Sequence, residues 1–249
     1  MTTRLLGLDY PGRRDEARMA DLELSPLGIE LTPLMGDSLP VRFTARDYAM
    51  DLLSASPLAS DGVHAVLAYC AAAPIAQEMA QVLVERGAGP VPLVLFDADP
   101  CEADALWQGY AACVTEADGQ ASTAPLSASV LSGLLHDPRA LLSVLEKDLS
   151  DRVLKSLAAD DLSEEELIFC HEQIMRSMLD YLIYLISAHH STRPAWGGSV
   201  LHIASQDHAY CGPWQGAART QLVRVTCDKA DLLRHPDTVE AVSAFVKSH

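Results

Sequence analysis

Cys70 has the chemically most suggestive setting in the chain. An apolar run, HAVLAYC (residues 64–70), meets AAAPIAQEMAQ without a break. The first reads as a strand and the second as a helix, so Cys70 falls on a sharp strand-to-helix turn. A side chain there stands above the sheet, and the helix N-terminus behind it offers backbone N–H groups to an oxyanion. Such turns usually read Gly-x-Ser-x-Gly, the glycines letting the helix pack close beneath. This chain reads Ala68-Tyr69-Cys70-Ala71-Ala72, with small residues at both glycine places and a thiol at the nucleophile place. On these residues alone Cys70 is either a nucleophile or a buried core cysteine. The other cysteines (Cys101, Cys113, Cys170, Cys211, Cys227) are scattered, with no CxxC pair. Neither a metal site nor a dense disulfide frame is expected from them.

The elements that must position Cys70 follow from pattern and punctuation. RLLGLDY (residues 4–10) is a strand stopped by Pro11-Gly12, and GIELTP (residues 28–33) is a second. Residues 15–24 carry roughly helical spacing between them. TARDYAMDLLS (residues 44–54) is a helix with Thr44 as N-cap. The helix after Cys70 ends at Gly87, and VPLVLFDAD (residues 91–99) is another buried strand. This β-α alternation predicts a parallel sheet covered by helices. From about residue 118 the pattern changes. Short helical pieces are expected over residues 126–160, then a long helix opened by Ser163 and Glu166 as a capping box. The sheet returns with SVLHIAS (residues 199–205) and QLVRVT (residues 221–226), and residues 238–247 close the chain as an amphipathic helix. The organisation expected is one domain, residues 1–249, with a helical insertion over about 118–190.

Composition narrows the class. The 249 residues carry 18 Lys plus Arg against 34 Asp plus Glu, a formal charge of −16. That argues against nucleic acid, whose phosphates need clustered cations. No apolar run reaches the roughly 20 residues a membrane span requires, and the N-terminal apolar run is too short for a secretory signal. A soluble, reduced, cytoplasmic protein is expected, with no membrane or nucleic-acid partner.

The wider window around Cys70 carries a resemblance. AYCAAAPIAQEMAQVLVERGAGPVPLVLFDADP is similar to the thioesterases of nonribosomal peptide and polyketide assembly lines, which read GxSxGG, then AxEMAxxL, then LVLLDxxPP. HHSTRPAWGGSVLHIASQD and Trp214 resemble that family's return strand and the Trp before its last strand. The likeness spans roughly residues 60–116 and 180–245, and the N-terminal sixty residues match in layout. It implies an α/β-hydrolase fold, mostly parallel, with residues 118–190 as a lid. On that lid Leu167, Ile168, Ile174, Met178 and Leu182 would face inward.

The resemblance also assigns roles. Cys70 takes the nucleophile's place, Asp97 that of the acid, and the Ala71 amide that of one oxyanion donor. The second donor falls in the loop of Pro11, Gly12 and Arg13, which lacks the family's glycine-rich run. The family's catalytic His, in "G-D-H-F-x-L-L", aligns with Lys229 in CDKADLL. His208, beside Asp207, and His235 are the alternative bases, while His64, His171, His189 and His190 read as structural. A thiol at a helix N-terminus is expected to ionise below its ordinary pKa. An ammonium, with a pKa of about 10.4, is no base at pH 7. At about 4 Å and an effective dielectric of about 20 it would favour a thiolate by at most roughly 4 kcal/mol. Lys229 is thus either an electrostatic partner of Cys70 or a solvated loop residue.

Two functions follow. One is an acyl-thioester enzyme of secondary-metabolite biosynthesis. It would take an acyl, aminoacyl or peptidyl group from the phosphopantetheine of a carrier protein onto Cys70, with transfer or cyclisation favoured over hydrolysis and no bound cofactor. The other is a catalytically impaired protein of the same fold that binds a carrier domain or a hydrophobic ligand. Arg139, Lys147, Arg152 and Lys155 are the basic lid residues available for docking, or simply a solvated face.

Overall fold

Among the described residues, six strands lie side by side in the order β2-β1-β3-β4-β5-β6, every neighbouring pair parallel. They are β1 (Thr3–Leu8), β2 (Ile29–Pro33), β3 (Val63–Tyr69), β4 (Leu93–Phe96), β5 (Ser199–Ala204) and β6 (Arg219–Arg224). The computed structural model describes residues 3–12, 16–36, 38–56, 62–118, 126–159 and 161–249. The helices are α1 (Ala45–Ala55), α2 (Ala73–Glu85), α3 (Ala103–Asp118), α4 (Ala128–Ser132), α5 (Pro138–Leu157), α6 (Glu164–His189) and α7 (Pro236–Lys247). The expected α/β-hydrolase arrangement is therefore present.

Alternation along the central strands sets the two cores. In β3, Val66 and Ala68 point to one face and Ala65, Leu67 and Tyr69 to the other, all buried. The first face is covered by α1, α2, α3, α5 and α6, and the second by α7 and the turns after β1. Strands buried on both faces must read as continuous apolar runs, and HAVLAY and LVLF do.

Local signals explain most of the boundaries. Thr44 accepts a hydrogen bond from the Asp47 N–H and caps α1. Pro74 sits in the first turn of α2, where its missing N–H has no partner to lose, and Gly87 follows the helix at φ +96°. Ser163 and Glu166 form the expected capping box of α6. Two expectations differ. Of residues 15–24, the described ones, 16–24, give a short 3-10 turn, Met19–Leu22, and no α-helix. Residues 126–159 hold one short piece, α4, as expected, but then a single 20-residue helix. That helix, α5, is opened by Asp137 and buries Leu141, Leu145, Leu149, Val153 and Leu157, one residue per turn. Arg152 faces inward too, pairing with Asp118 and Asp148 at 2.7 Å each, so it does not belong to an exposed docking face.

On α6, Met178 and Leu182 are buried and Leu167 and Ile174 half-buried, whereas Ile168 is 50% exposed. The four inward residues are spaced seven, four and four apart, one helical face. Ile168 stands about 100° round from Leu167 and leaves that face. Among the described residues no helix is long and apolar enough to cross a membrane.

Candidate active site

Cys70 has φ +52°, a left-handed conformation that costs a side chain with a Cβ roughly 1–2 kcal/mol. It follows directly on β3 and opens a single 3-10 turn, Cys70–Ala72, that leads into α2. The next strand ends in the same way: Asp97, directly after β4, has φ +42°. Two adjacent parallel strands thus end in strained residues, a thiol and a carboxylate, at the C-terminal edge of the sheet. That is the edge at which open α/β sheets carry their sites. Ala68 and Ala72, at the two glycine places, are fully buried, which accounts for small side chains at both.

Cys70 opens into a pocket of about 130 Å³. Gly12 and Glu16 contribute from the segment after β1, Tyr181, Tyr184 and Leu185 from α6, and Lys229 from the turn before α7. Lys229 and Gly12 are therefore both at the Cys70 pocket, and the Lys229 ammonium lies 5.7 Å from the Tyr69 ring centroid. Arg13 lies outside the described residues. Larger depressions of about 970 and 470 Å³ occur elsewhere on the molecule, lined by neither cysteine nor histidine.

The electrostatics of the thiol correct one expectation. Cys70 is partly exposed, but protein atoms crowd its sulfur, and this burial pushes its pKa above the ordinary thiol value. The Lys229 ammonium and the Ala71 N–H act in the opposite direction, while Asp99 and Asp97 add to the rise. Desolvation of the charged form outweighs the cation and the helix terminus together.

The alternative bases are engaged elsewhere. His208 Nε2 lies 3.1 Å from the Ala98 carbonyl, which can only accept, so this nitrogen carries the proton. Its Nδ1 lies 3.7 Å from Asp97 Oδ1. His208 does not line the Cys70 pocket. His235 caps α7, its Nδ1 accepting from the Asp237 N–H at 3.2 Å, and it does not line the Cys70 pocket. Asp97 is buried and accepts from the Ser205 N–H at 2.7 Å and the Ser205 hydroxyl at 2.8 Å. Its carboxylate therefore serves the β5 loop and His208, and among the described residues no ion pair joins it to Lys229. His202, fully buried on β5, accepts from the Ala98 N–H, and burial lowers its pKa to about 4.

Further residues frame the site. Gln77 and Glu78, both buried on α2, hold the chain as it returns from the helical insertion. Gln77 donates to the carbonyls of Pro194 and Gln215 and accepts from the Trp214 indole. Glu78 Oε1 accepts from the Ser191 hydroxyl at 3.0 Å, the Thr192 hydroxyl at 2.8 Å and the Thr192 N–H at 2.6 Å. Sequence reasoning did not single out Tyr10, Glu16, Tyr181 or Tyr184. The available signal was Tyr181, Tyr184 and Leu185 at helical spacing, a stripe one face of α6 must present.

No protein-family model and no curated protein matches the sequence. Solved structures do match. One is the Vlm2 thioesterase domain bound with a dodecadepsipeptide, at 17% identity and a TM-score of 0.52, covering 99% of this chain and 93% of that one. Another is ClbQ from the colibactin NRPS/PKS pathway, at 15% identity and 0.51, covering 100% and 98%. A third is the NocB thioesterase domain in covalent complex with a fluorophosphonate nocardicin G analogue, at 16% identity and 0.52, covering 98% and 94%. The parallel sheet, the strained turn at Cys70 and these whole-chain likenesses together place the chain in the α/β-hydrolase fold, the fold of those thioesterase domains.

Proposed function

We propose that the protein is a thioesterase-type enzyme of secondary-metabolite biosynthesis that carries an acyl group on Cys70. The observation that carries this reading is the φ of +52° at Cys70, on the turn between β3 and α2. Cys101, fully buried in the core, has the same φ, so the angle counts at Cys70 because it falls on the strand-to-helix turn and its side chain lines a pocket. The likeness to the Vlm2 and NocB thioesterase domains and to ClbQ supports the substrate class, an acyl thioester. The donor would be the phosphopantetheine arm of an acyl or peptidyl carrier protein.

The step needs no bound cofactor. The Cys70 thiolate attacks the thioester carbonyl, and the oxyanion that forms is received by the Ala71 N–H and the Gly12 N–H. Collapse breaks the bond to the pantetheine sulfur, which leaves as a thiolate and takes up the proton Cys70 has lost. Lys229 favours the thiolate and the oxyanion. Asp97 acts at one remove, fixing Ser205 and the β5 loop.

Transfer to a second thiol or an internal nucleophile is favoured over hydrolysis. Water needs a base, and neither His208 nor His235 lines the Cys70 pocket, where Lys229 supplies a cation instead. A thioester on cysteine is also close in energy to the donor thioester, so transfer is reversible. The crowding of the Cys70 sulfur favours a second reading, a protein of this fold that binds a carrier domain or hydrophobic ligand without chemistry.

Acyl movement between two carriers decides between them. One carrier is loaded with a radiolabelled acyl group and a second is offered empty. Label passing between them with the wild type and not with Cys70→Ala supports the enzyme. No passage, with both proteins still binding the carrier, supports the second reading.

A further inference from the structure

Tyr184 stands on α6, is 3% exposed, and lines the pocket above Cys70 together with Ala71. Its ring packs on those of Tyr10 and Tyr48, with centroids 4.9 Å and 6.4 Å away. Among the described residues its hydroxyl makes no hydrogen bond, yet it is not sealed in as the Tyr48 hydroxyl is. A buried hydroxyl without a partner is costly, and phenylalanine would make the same ring contacts without that cost. The fold has no use for this oxygen, and it is open to whatever enters the pocket.

The pocket brings that oxygen close to the sulfur. Its volume of about 130 Å³ is the share of roughly four water molecules in the liquid, at about 30 Å³ each. Groups on its walls therefore meet the same few atoms of a bound molecule. α6 packs directly on the Cys70–Ala72 turn. After burial, the group that weighs most on the Tyr184 hydroxyl is the Cys70 thiolate, and both hold its pKa well above the ordinary tyrosine value. The hydroxyl thus keeps its proton at neutral and alkaline pH, where it can donate a hydrogen bond and cannot act as a base.

Resting on the acyl-Cys70 reading above, the geometry points to Tyr184 as a further catalytic residue, its hydroxyl donating a hydrogen bond to the oxyanion of the tetrahedral intermediate beside the Ala71 N–H. The Cys70 sulfur bonds to the carbonyl carbon, and the carbonyl π pair moves onto the oxygen that Tyr184 faces. When that pair returns, the bond to the pantetheine sulfur breaks and the sulfur leaves as a thiolate. Tyr184 keeps its proton throughout. The oxyanion site is then divided between the turn at Cys70 and the helical insertion, which supplies a donor where the loop of Pro11 and Gly12 has no glycine-rich run.

The test removes single oxygens. In Tyr184→Phe the acylation rate at saturating acyl thioester, followed by acid quench and intact mass, should fall about a hundredfold, the low end for one oxyanion donor. The half-saturating concentration should stay within about twofold, because the hydrogen bond strengthens only as charge develops on the oxygen. The pH midpoint of acylation should not move, since the ionisation of Cys70 does not depend on this hydroxyl. Tyr48→Phe also removes a buried hydroxyl without a partner, but Tyr48 does not line the pocket. It should acylate at the wild-type rate, and neither variant should lower Tm. Acylation by Tyr184→Phe within about threefold of wild type overturns the inference. So does an equal loss in Tyr48→Phe, or a displaced pH midpoint in Tyr184→Phe. A wild type that forms no adduct sinks the acyl-Cys70 reading and this inference with it, whereas a wild type that acylates no faster than Tyr184→Phe sinks this inference alone.

Discussion

His208 stands with Nδ1 3.7 Å from Asp97 Oδ1 and its Nε2–H on the Ala98 carbonyl, so the carboxylate that resembles a catalytic acid has beside it a histidine that does not line the Cys70 pocket. The pair holds the ends of β4 and β5 together. His208→Gln should therefore leave acylation of Cys70 within about threefold and cost about 1–2 kcal/mol of stability through the lost hydrogen bond. Acylation kinetics with urea unfolding check both. A hundredfold loss of acylation would make His208 the base.

Lys229 is the cation that opposes the burial of Cys70. Lys229→Met should raise the thiol pKa further and slow acylation at pH 7.5 by roughly tenfold, the equivalent of one pKa unit. Because the wild-type thiol already titrates above its ordinary value, acylation should climb with pH through the alkaline range. The variant's curve should be displaced to still higher pH. Lys229→His should increase hydrolysis, since a neutral imidazole in that pocket is a base.

Glu78 gathers three donors from the segment that returns from α6. Glu78→Ala strands those donors in a buried place and should cost about 3 kcal/mol. For a chain of this length that lowers Tm by roughly 6–12 °C. Differential scanning calorimetry reads it, and an unchanged Tm would remove Glu78 from the account of the return segment.

His202 makes stability depend on pH. Burial holds its folded pKa at about 4, below the ordinary value of about 6.5. The unfolded chain therefore binds a proton that the folded chain refuses between those values. Stability is full above about pH 6.5 and falls as the pH drops toward 4, by about 1 kcal/mol between pH 7.5 and 5.5. His190, also lowered by burial, adds in the same direction. Urea midpoints at the two pH values should differ for the wild type, and the difference should shrink in His202→Gln.

What was legible in the sequence was local. HAVLAY reads as a strand, Pro74 and Gly87 bound the next helix, and Ser163 with Glu166 opens α6, because each signal lies within a few residues of its effect. Cys70 could be placed on its turn for the same reason. The rest depends on distant parts of the chain. α5 was hard to see because its single apolar stripe alternates with Arg152, Asp148 and Lys147, and only packing on α3 and α6 makes it one helix. The direction of the Cys70 pKa depends on how closely α6 covers the sulfur, and no spacing records that. Whether Asp97 meets Lys229 or His208 is set by the loop after β5, which Arg224 holds through the carbonyls of Ser205, Gln206 and His208.

The central claim is that Cys70 accepts an acyl group, and intact mass tests it most directly. The purified protein is mixed with a small acyl thioester at pH 8.5, quenched in acid and weighed. The account predicts one acyl adduct per chain, absent in Cys70→Ala, persisting in buffer and discharged by an added carrier thiol. Contradiction would be no adduct at all, or an adduct that forms equally in Cys70→Ala.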